Sequence, residues 1–315
     1  MDLRRLRGFV AIVDAGGFAR AAAHLNLSQP ALSRQIVTLE EELGVKLLDR
    51  TRRRVQLTSE GEDLLERSRR LLTDAQAFDE RARALKGGDT GVLRLGATPQ
   101  LIETFLGEFC ASYSRRRPGV EIHFVDDGGV TLSDRLARGE VHLTVTAAIG
   151  DGRFVERLLM PLYLLVIAPA GHPLARRAAV DITDLSGLPL MVLRRGFGSR
   201  QWFDAACEVA SVRPRIVLES AAPQTLVSLA RARYGMAVVP SNTGIMRGGI
   251  RAVPVLLSCV PIGRWAAVMW DPRRFLAPFA ERFVNELQAR LRVSYPGRDL
   301  TRRAPPLPRP IAAAR

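Results

Sequence analysis

The first sixty positions alternate short apolar stripes with turn signals. Leu3, Leu6, Val10 and Val13 recur at helical spacing with Phe9 beside them, and Gly16-Gly17 ends the run. Phe18, Ala21, Ala22 and Leu25 form a second short stripe, and Asn26-Leu27 is a tight connection. Ser28 then reads as an N-cap, Pro30 falls in the first turn where its missing N–H costs nothing, and Gly44 reads as a C-cap. Between them Leu32, Ile36, Leu39 and Leu43 form one buried stripe. Three helices packed on a shared core are predicted, with Ser28, Gln29, Pro30, Ser33, Arg34 and Thr38 on the free face of the third. The stretch DRTRRRVQLTSEG follows. It sets Arg50, Arg52, Arg53 and Arg54 in a turn, then alternates Val55 and Leu57 as in a small strand.

Thr58 reads as the cap of a long helix. Leu64, Ser68, Leu71, Ala75, Phe78, Ala82 and Leu85 follow in steps of three and four, a heptad seam widened by Leu65 and Leu72. Balanced charges flank it, and Gly87-Gly88 breaks it into a hinge. From about Val92 the pattern changes to alternating strands and helices. GVLRLGAT, VEIHFVD, VHLTVTA, LYLLVIAP, PLMVL, RIVLES, MAVVP and RWAAVMW read as strands. LSDRLARGE, SRQWFDAACEVA, QTLVSLARARY and FLAPFAERFVNELQARL read as helices, as does the segment after Thr98-Pro99 through Phe105 and Phe109. Alternation of this kind implies parallel sheets with crossovers.

The third helix suggests a chemistry. A helix-turn-helix inserts the start of its second helix into the DNA major groove. Gln and Arg bond base edges there, while Ser and Thr reach phosphate or bases. An arginine-rich turn beside it has the composition of a wing on the phosphate backbone. The formal net charge of +14 permits an anionic partner. Its distribution is less pointed, since residues 1–60 hold ten Lys/Arg against seven Asp/Glu. The heptad seam favours a dimer, so that two recognition helices meet two half-sites.

Other classes fit less well. The basic start with its short apolar run is interrupted by Asp14 and lacks a small-x-small cleavage site, so it is not read as a signal peptide. No stretch approaches the length of a membrane span, and a cytoplasmic protein is expected. Four scattered histidines form no HExxH, and GxSxG and GxxxxGK[ST] are absent, so no enzyme, metal site or cofactor is expected. His172 in AGHPLA reads as a loop-shaping residue. Cys110, Cys207 and Cys259 form no CxxC pair.

Residues 1–65, from MDLRRLRGFVAIVDAGGFARAAAHLNLSQPALSRQIVTLEEELGVKLLDR to LTSEG, closely resemble the winged helix-turn-helix of LysR-type transcriptional regulators. The resemblance continues more weakly at GVLRLGAT, AGHPLA and YGMAVVP. It implies a winged helix-turn-helix over 1–58, a linker and dimerisation helix over 59–87 and an effector-binding domain over 91–295. That domain would be α/β and like a type 2 periplasmic binding protein. Subdomain I would span about 91–160 and 265–293 and subdomain II about 161–264, with crossing strands near Leu158–Leu162 and Pro261–Ala266. The helix from Ser28 to Leu43 would read DNA through Ser28, Gln29, Pro30, Ser33, Arg34 and Thr38, with Arg52, Arg53 and Arg54 on the wing. Leu64, Leu71, Ala75, Phe78 and Leu85 would pair two chains in a coiled coil, and two dimers would form a tetramer that addresses RNA polymerase.

A cleft in such a fold lies at strand ends and helix starts. The candidates there are Thr98, Pro99, Gln100, Thr146, Ser199, Arg200 and Phe203, the last placed to stack on a ring. Together they suit a small organic acid as co-inducer. Two alternatives share the fold: a thiol-based redox-sensing regulator, and a solute-binding protein that would leave the DNA-binding half unexplained. The chain departs from the family at His142, where an acidic residue is usual, and at Arg233-Tyr234, where glycine and an aliphatic residue are usual. The Pro- and Arg-rich segment 296–315 is expected to be disordered.

Overall fold

The structure is a computed structural model and describes residues 2–49, 55–85, 90–245, 248–302 and 304–309. It divides into two compact units, Met1–Leu85 and Lys86–Arg315. Arg50, Arg52, Arg53 and Arg54 of the expected wing, and the Gly87-Gly88 hinge, lie outside the described residues.

The amino-terminal unit contains α1 (Leu3–Ala15), α2 (Phe18–His24), α3 (Gln29–Leu43), a small antiparallel pair β1 (Leu48–Asp49) and β2 (Gln56–Leu57), and α4 (Ser59–Leu85). Local chemistry sets the ends. Asp2 accepts from the Arg4 amide at 2.9 Å, and Gly16 closes α1 in the left-handed region. Ser28 Oγ accepts from the Ala31 amide at 3.3 Å, with Pro30 in the first turn, and Gly44 closes α3. Thr58 Oγ1 accepts from the Gly61 amide at 2.9 Å to cap α4. Leu6, Phe9, Ile12, Ala21, Ala22, Leu32, Ile36 and Leu39 form the core, with Leu47 and Leu48 closing it. The buried Glu40 carboxylate accepts from the Leu47 and Leu48 amides at 2.9 and 3.2 Å and from Lys46 Nζ at 3.1 Å. This fixes the exit of α3 to the first strand of the ribbon.

The second unit contains β3 (Gly91–Ala97), α5 (Pro99–Leu101), a π-helical turn (Ile102–Leu106), α6 (Gly107–Arg116), β4 (Val120–Asp126), α7 (Gly129–Arg138), β5 (Leu143–Ala147) and β6 (Val155–Pro169). It continues through β7 (Val180–Asp181), β8 (Pro189–Leu193), α8 (Gly198–Val209), β9 (Arg215–Ser220), α9 (Pro223–Arg231) and β10 (Met236–Pro240). It ends with β11 (Ile250–Leu257), β12 (Val260–Pro261), β13 (Gly263–Trp270), α10 (Pro278–Val293) and α11 (Arg298–Thr301). The strand order is β4-β3-β5-β13-β6-β10-β8-β9. The β3–β4, β3–β5, β8–β9 and β8–β10 pairs are parallel, as the alternation predicts.

The two crossing strands depart from a purely parallel sheet. β13 runs antiparallel to β5 and β6, and β6 runs antiparallel to β10 and β11. β6 is therefore shared: Val155–Tyr163 pairs with β13, and Leu164–Pro169 pairs with β10 and β11. The β6–β13 register slips between Ala266 and Ala267, a bulge that bends the ribbon where it passes between halves. Gly263 sits at the passage, where a Cβ would lie 2.2 Å from the Leu162 carbonyl oxygen. One half has its core around Leu95, Tyr113, Phe283 and Leu287. The other buries both faces of its sheet, around Val166 and Phe203 on one side and Leu165 and Leu226 on the other.

Two expectations need correction, and one strand adds to those read from the pattern. β11 (IRAVPVLL) is that strand; at Pro254 it pairs with β6 on one side only, an edge position where a proline is tolerated. The helix after Thr98 is interrupted by a π turn. The segment after Tyr295 is not wholly disordered, because Leu307 is buried against the β6–β10 core and α11 forms within it. Arg233, expected to end α9 less permissively than glycine, takes φ 64°. The Tyr234 amide donates to the Leu229 carbonyl at 3.0 Å across it. A left-handed residue with a Cβ costs about 1–2 kcal/mol. Arg233→Gly is expected to stabilise the carboxy-terminal unit by about 1 kcal/mol net of glycine's entropy, read as a Tm rise of about 2–4 °C.

Candidate functional sites

The amphipathic order of α3 decides which side chains it offers. Leu32, Ile36 and Leu39 are fully buried. In consequence Gln29, Pro30 and Arg34 are exposed in the first two turns, with Ser28 exposed at the cap and Ser33 and Thr38 half-buried beside them. Thr38 Oγ1 donates to the Arg34 carbonyl at 3.0 Å, which uses its proton within the helix and leaves its oxygen as an acceptor. Polar side chains of differing donor and acceptor character thus share the start of one helix with the positive end of its dipole. β1, tied to the last turns of α3 through Glu40, pairs with β2, Leu48 opposite Leu57.

Along α4, Leu64, Leu65 and Leu72 pack against the core of the first unit. Leu64, expected in the intermolecular seam, is therefore partly used within its own chain. Leu71 and Phe78 are exposed, Phe78 to 76%, and Ala75 is half-buried between them. The Leu85 side chain lies outside the described set.

In the second unit a cavity of about 860 Å³ opens between the two halves. The crossing strands form one wall through Leu162, Gly263 and Arg264. One half contributes Thr98, Gln100, Thr146 and the amino end of α7 at Gly128–Val130; the other contributes Asn242 and the amino end of α8 at Phe197–Ser199. Neither α7 nor α8 has a side-chain cap, and Thr98 makes no capping bond although it stands at a cap position. Leu101, Val130, Leu193, Trp202 and Ile262 make the remainder largely apolar. The cavity therefore offers hydroxyls, amides and two helix amino ends around an apolar body, an arrangement suited to an anionic or polar head on a hydrocarbon frame. Its lining arginines are marginal: Arg264 is exposed, and Arg153 is bound to Asp151 at 2.6 Å.

Four of the seven expected pocket residues, Thr98, Gln100, Thr146 and Ser199, line this cavity. Pro99, Arg200 and Phe203 do not. Arg200 is 4% exposed and turns inward, donating to the Leu193 carbonyl at 2.9 Å, to Glu219 at 2.7 Å and to Asp204 at 2.8 Å. The Arg200 bond holds the Glu219 carboxyl below the usual range. Phe203 is fully buried with Ala206 and Cys207 on the same stripe of α8. Sequence reading missed Ser133, Trp202 and Asn242. Asn242 follows the end of β10, where the rule of ligands at strand ends could have found it.

The sequence comparisons agree with this geometry. Residues 3–62 match the model described as bacterial regulatory helix-turn-helix protein, lysR family, and residues 86–292 match the LysR substrate binding domain. The chain belongs to the LysR family of bacterial transcriptional regulators. This LysR-type regulator is 31% identical over 288 residues to the HTH-type transcriptional regulator TtuA of Agrobacterium vitis, covering 87% of the chain and 94% of the relative. It is 33% identical over 241 residues to a "probable hydrogen peroxide-inducible genes activator" of Streptomyces viridosporus, covering 76% and 77%. Among solved structures it resembles a full-length OxyR variant from Pseudomonas aeruginosa, with TM-score 0.68, 25% identity and coverage of 94% and 95%.

The peroxide-linked relative makes the cysteines of this regulator relevant. Cys110 and Cys207 are buried, and burial pushes their thiols up to about 12 and about 11. Neither is poised as a thiolate at neutral pH. Cys259 is exposed in a tight turn with φ 69°. Iodoacetamide at pH 8 is expected to label the native chain at Cys259, with Cys110 and Cys207 labelled only after denaturation. Mass spectrometry of the labelled peptides checks this. Rapid native labelling of Cys110 or Cys207 would show a reactive thiol that the geometry does not support.

Proposed function

We propose that this regulator recognises a DNA operator by sequence through the first turns of α3, and that a small-molecule co-inducer in the carboxy-terminal cavity controls it. The observation that carries the first half is the pairing on one helix of wholly buried Leu32, Ile36 and Leu39 with exposed Gln29, Pro30 and Arg34. Gln29 and Arg34 would bond base edges, Ser28, Ser33 and Thr38 would bond bases or phosphates, and Pro30 would make apolar contact. Arg52, Arg53 and Arg54 would hold the backbone beside the groove. The working division is residues 1–58 for DNA, 59–87 for the linker and 91–295 for the effector domain. The protein would act in the cytoplasm.

Exposed Leu71 and Phe78 on α4 support pairing of two chains, with Ala75 and Leu85 on the same seam. Two such dimers would make the tetramer, whose rearrangement on binding the co-inducer would change DNA bending or contacts with RNA polymerase. The coupling between effector and DNA states would be about 1–3 kcal/mol. The cavity's helix ends, hydroxyls and apolar walls favour an organic acid with a hydrocarbon or aromatic body. A thiol-switched reading draws on the peroxide-inducible relative but finds no low-pKa thiol in Cys110 or Cys207.

Three measurements test the proposal. Arg34→Ala is expected to lower operator affinity by about 1–3 kcal/mol and to relax base preference at one position of each half-site. An equal loss on all sequences, measured by fluorescence anisotropy, would make Arg34 a phosphate contact. Leu71→Glu with Phe78→Glu is expected to weaken chain pairing by at least about tenfold in sedimentation equilibrium. An unchanged association state would place the dimer contact elsewhere. Aromatic and aliphatic carboxylates are expected to raise the Tm of the full chain with concentration, and Ser199→Ala to reduce that rise. A rise that Ser199→Ala leaves intact would put the site outside this cavity.

A further inference from the structure

The chain passes between the halves of the effector domain three times, and the third passage is the segment after α10. Tyr295 packs on the core of the first half. Gly297 then turns with φ 80°, against the second half: a Cβ there would lie 2.0 Å from the Ser241 carbonyl oxygen. Leu300, Ala304 and Leu307 pack on the second half's core. Up to this point an apolar tail filling an apolar groove would explain the contacts.

The polar contacts have a narrower target. Tyr163 lies on β6 and Trp265 on β13, the two crossing strands, and Tyr163 is paired with Gly263 at the passage itself. Tyr163 Oη donates to the Pro305 carbonyl at 3.2 Å and accepts from the Leu307 amide at 3.1 Å. Trp265 Nε1 donates to the Pro308 carbonyl at 3.1 Å and, more weakly, to the Leu307 carbonyl at 3.4 Å. The Arg309 guanidinium lies 5.4 Å from the centre of the Trp265 indole. Both hinge strands are thus tied to one short piece of tail. The same hinge residue reaches the cavity wall: the Tyr163 amide donates to Ser241 Oγ at 3.1 Å and its carbonyl accepts from the Ser241 amide at 2.8 Å, one residue before Asn242. Leu162 and Arg264, the neighbours of Tyr163 and Trp265, line the cavity.

We propose that residues 296–302 and 304–309 form a strap over the hinge, which limits how far the two halves of the effector domain move apart. Two strands alone form a hinge that bends about their shared ribbon. A third passage, bonded to both strands, restricts that bend and holds the aperture of the cavity. The tail is then a regulatory element of the effector domain, independent of which molecule fills the cavity.

The test measures cleft aperture directly. Val130 and Val260 are exposed on opposite lips of the cavity. Both are changed to Cys in a Cys259→Ser chain, spin-labelled and diluted with unlabelled protein, and the distance distribution is measured by pulsed electron paramagnetic resonance. The full chain is expected to give one narrow distribution. Removal of residues 296–315 is expected to widen or split it. Tyr163→Phe, which keeps the ring and removes the two bonds of Tyr163 to the tail, is expected to act in the same direction and guards against a truncated chain that folds poorly. Identical distributions in all three chains, even with a lowered Tm in the truncated one, would overturn the strap and leave the tail as apolar cover.

Discussion

One strand holds the carboxy-terminal domain together. Over fifteen residues, Val155–Pro169, β6 pairs first with β13 and then with β10 and β11, so both sheets share a single backbone. Burying almost all of Leu162–Ala168 makes that strand expensive to displace, while the bulge opposite Ala266-Ala267 gives it a place to bend. The cavity exists because the halves diverge from this ribbon. Its helix amino ends, at Gly128 and Phe197, face it because parallel strands on each side deliver their helices to the same edge. The ribbon also explains why a tail bonded to Tyr163 and Trp265 would influence the cavity without entering it.

A similar economy governs the amino-terminal unit. The apolar stripe of α3 commits one face to Leu6, Phe9 and Ile12, and everything exposed at the start of the helix follows from that choice. Glu40 at the other end of α3 fixes the ribbon by accepting two backbone amides. Helix and ribbon are therefore held in one frame. A DNA reader needs such a frame, because base contacts discriminate only when the side chains arrive in fixed register.

What was legible in the sequence was local. Caps at Ser28 and Thr58, terminators at Gly16 and Gly44, and stripes of period 3.6 each act over a few residues, so α1, α3 and the start of α4 could be placed closely. Non-local pairings were not legible. β11 was not among the strands read, and its partner β6 lies some eighty residues earlier. The tail's proline and arginine content signals disorder, and nothing nearby reveals that Tyr163 and Trp265 supply its partners. Arg200 and Phe203 were placed by their nearness to a helix start, but the phase of α8 decided otherwise. Phe203, Ala206 and Cys207 form its buried stripe and carry Arg200 inward, while Trp202, one residue out of phase, lines the cavity. Reading the period of α8 before assigning its chemistry would have exchanged Phe203 for Trp202.

The proposed reading of DNA sequence by the start of α3, in a symmetric pair of chains, is tested most directly by selection of binding sites from randomised duplex DNA with the full chain. The expected result is a recovered motif of dyad symmetry, with half-sites separated by about one helical turn, 10–10.5 base pairs, or a multiple of it. A chain carrying Gln29→Ala with Arg34→Ala is expected to lose the preferred bases while keeping salt-sensitive binding. No enriched motif, or the same motif from the doubly substituted chain, would contradict that reading.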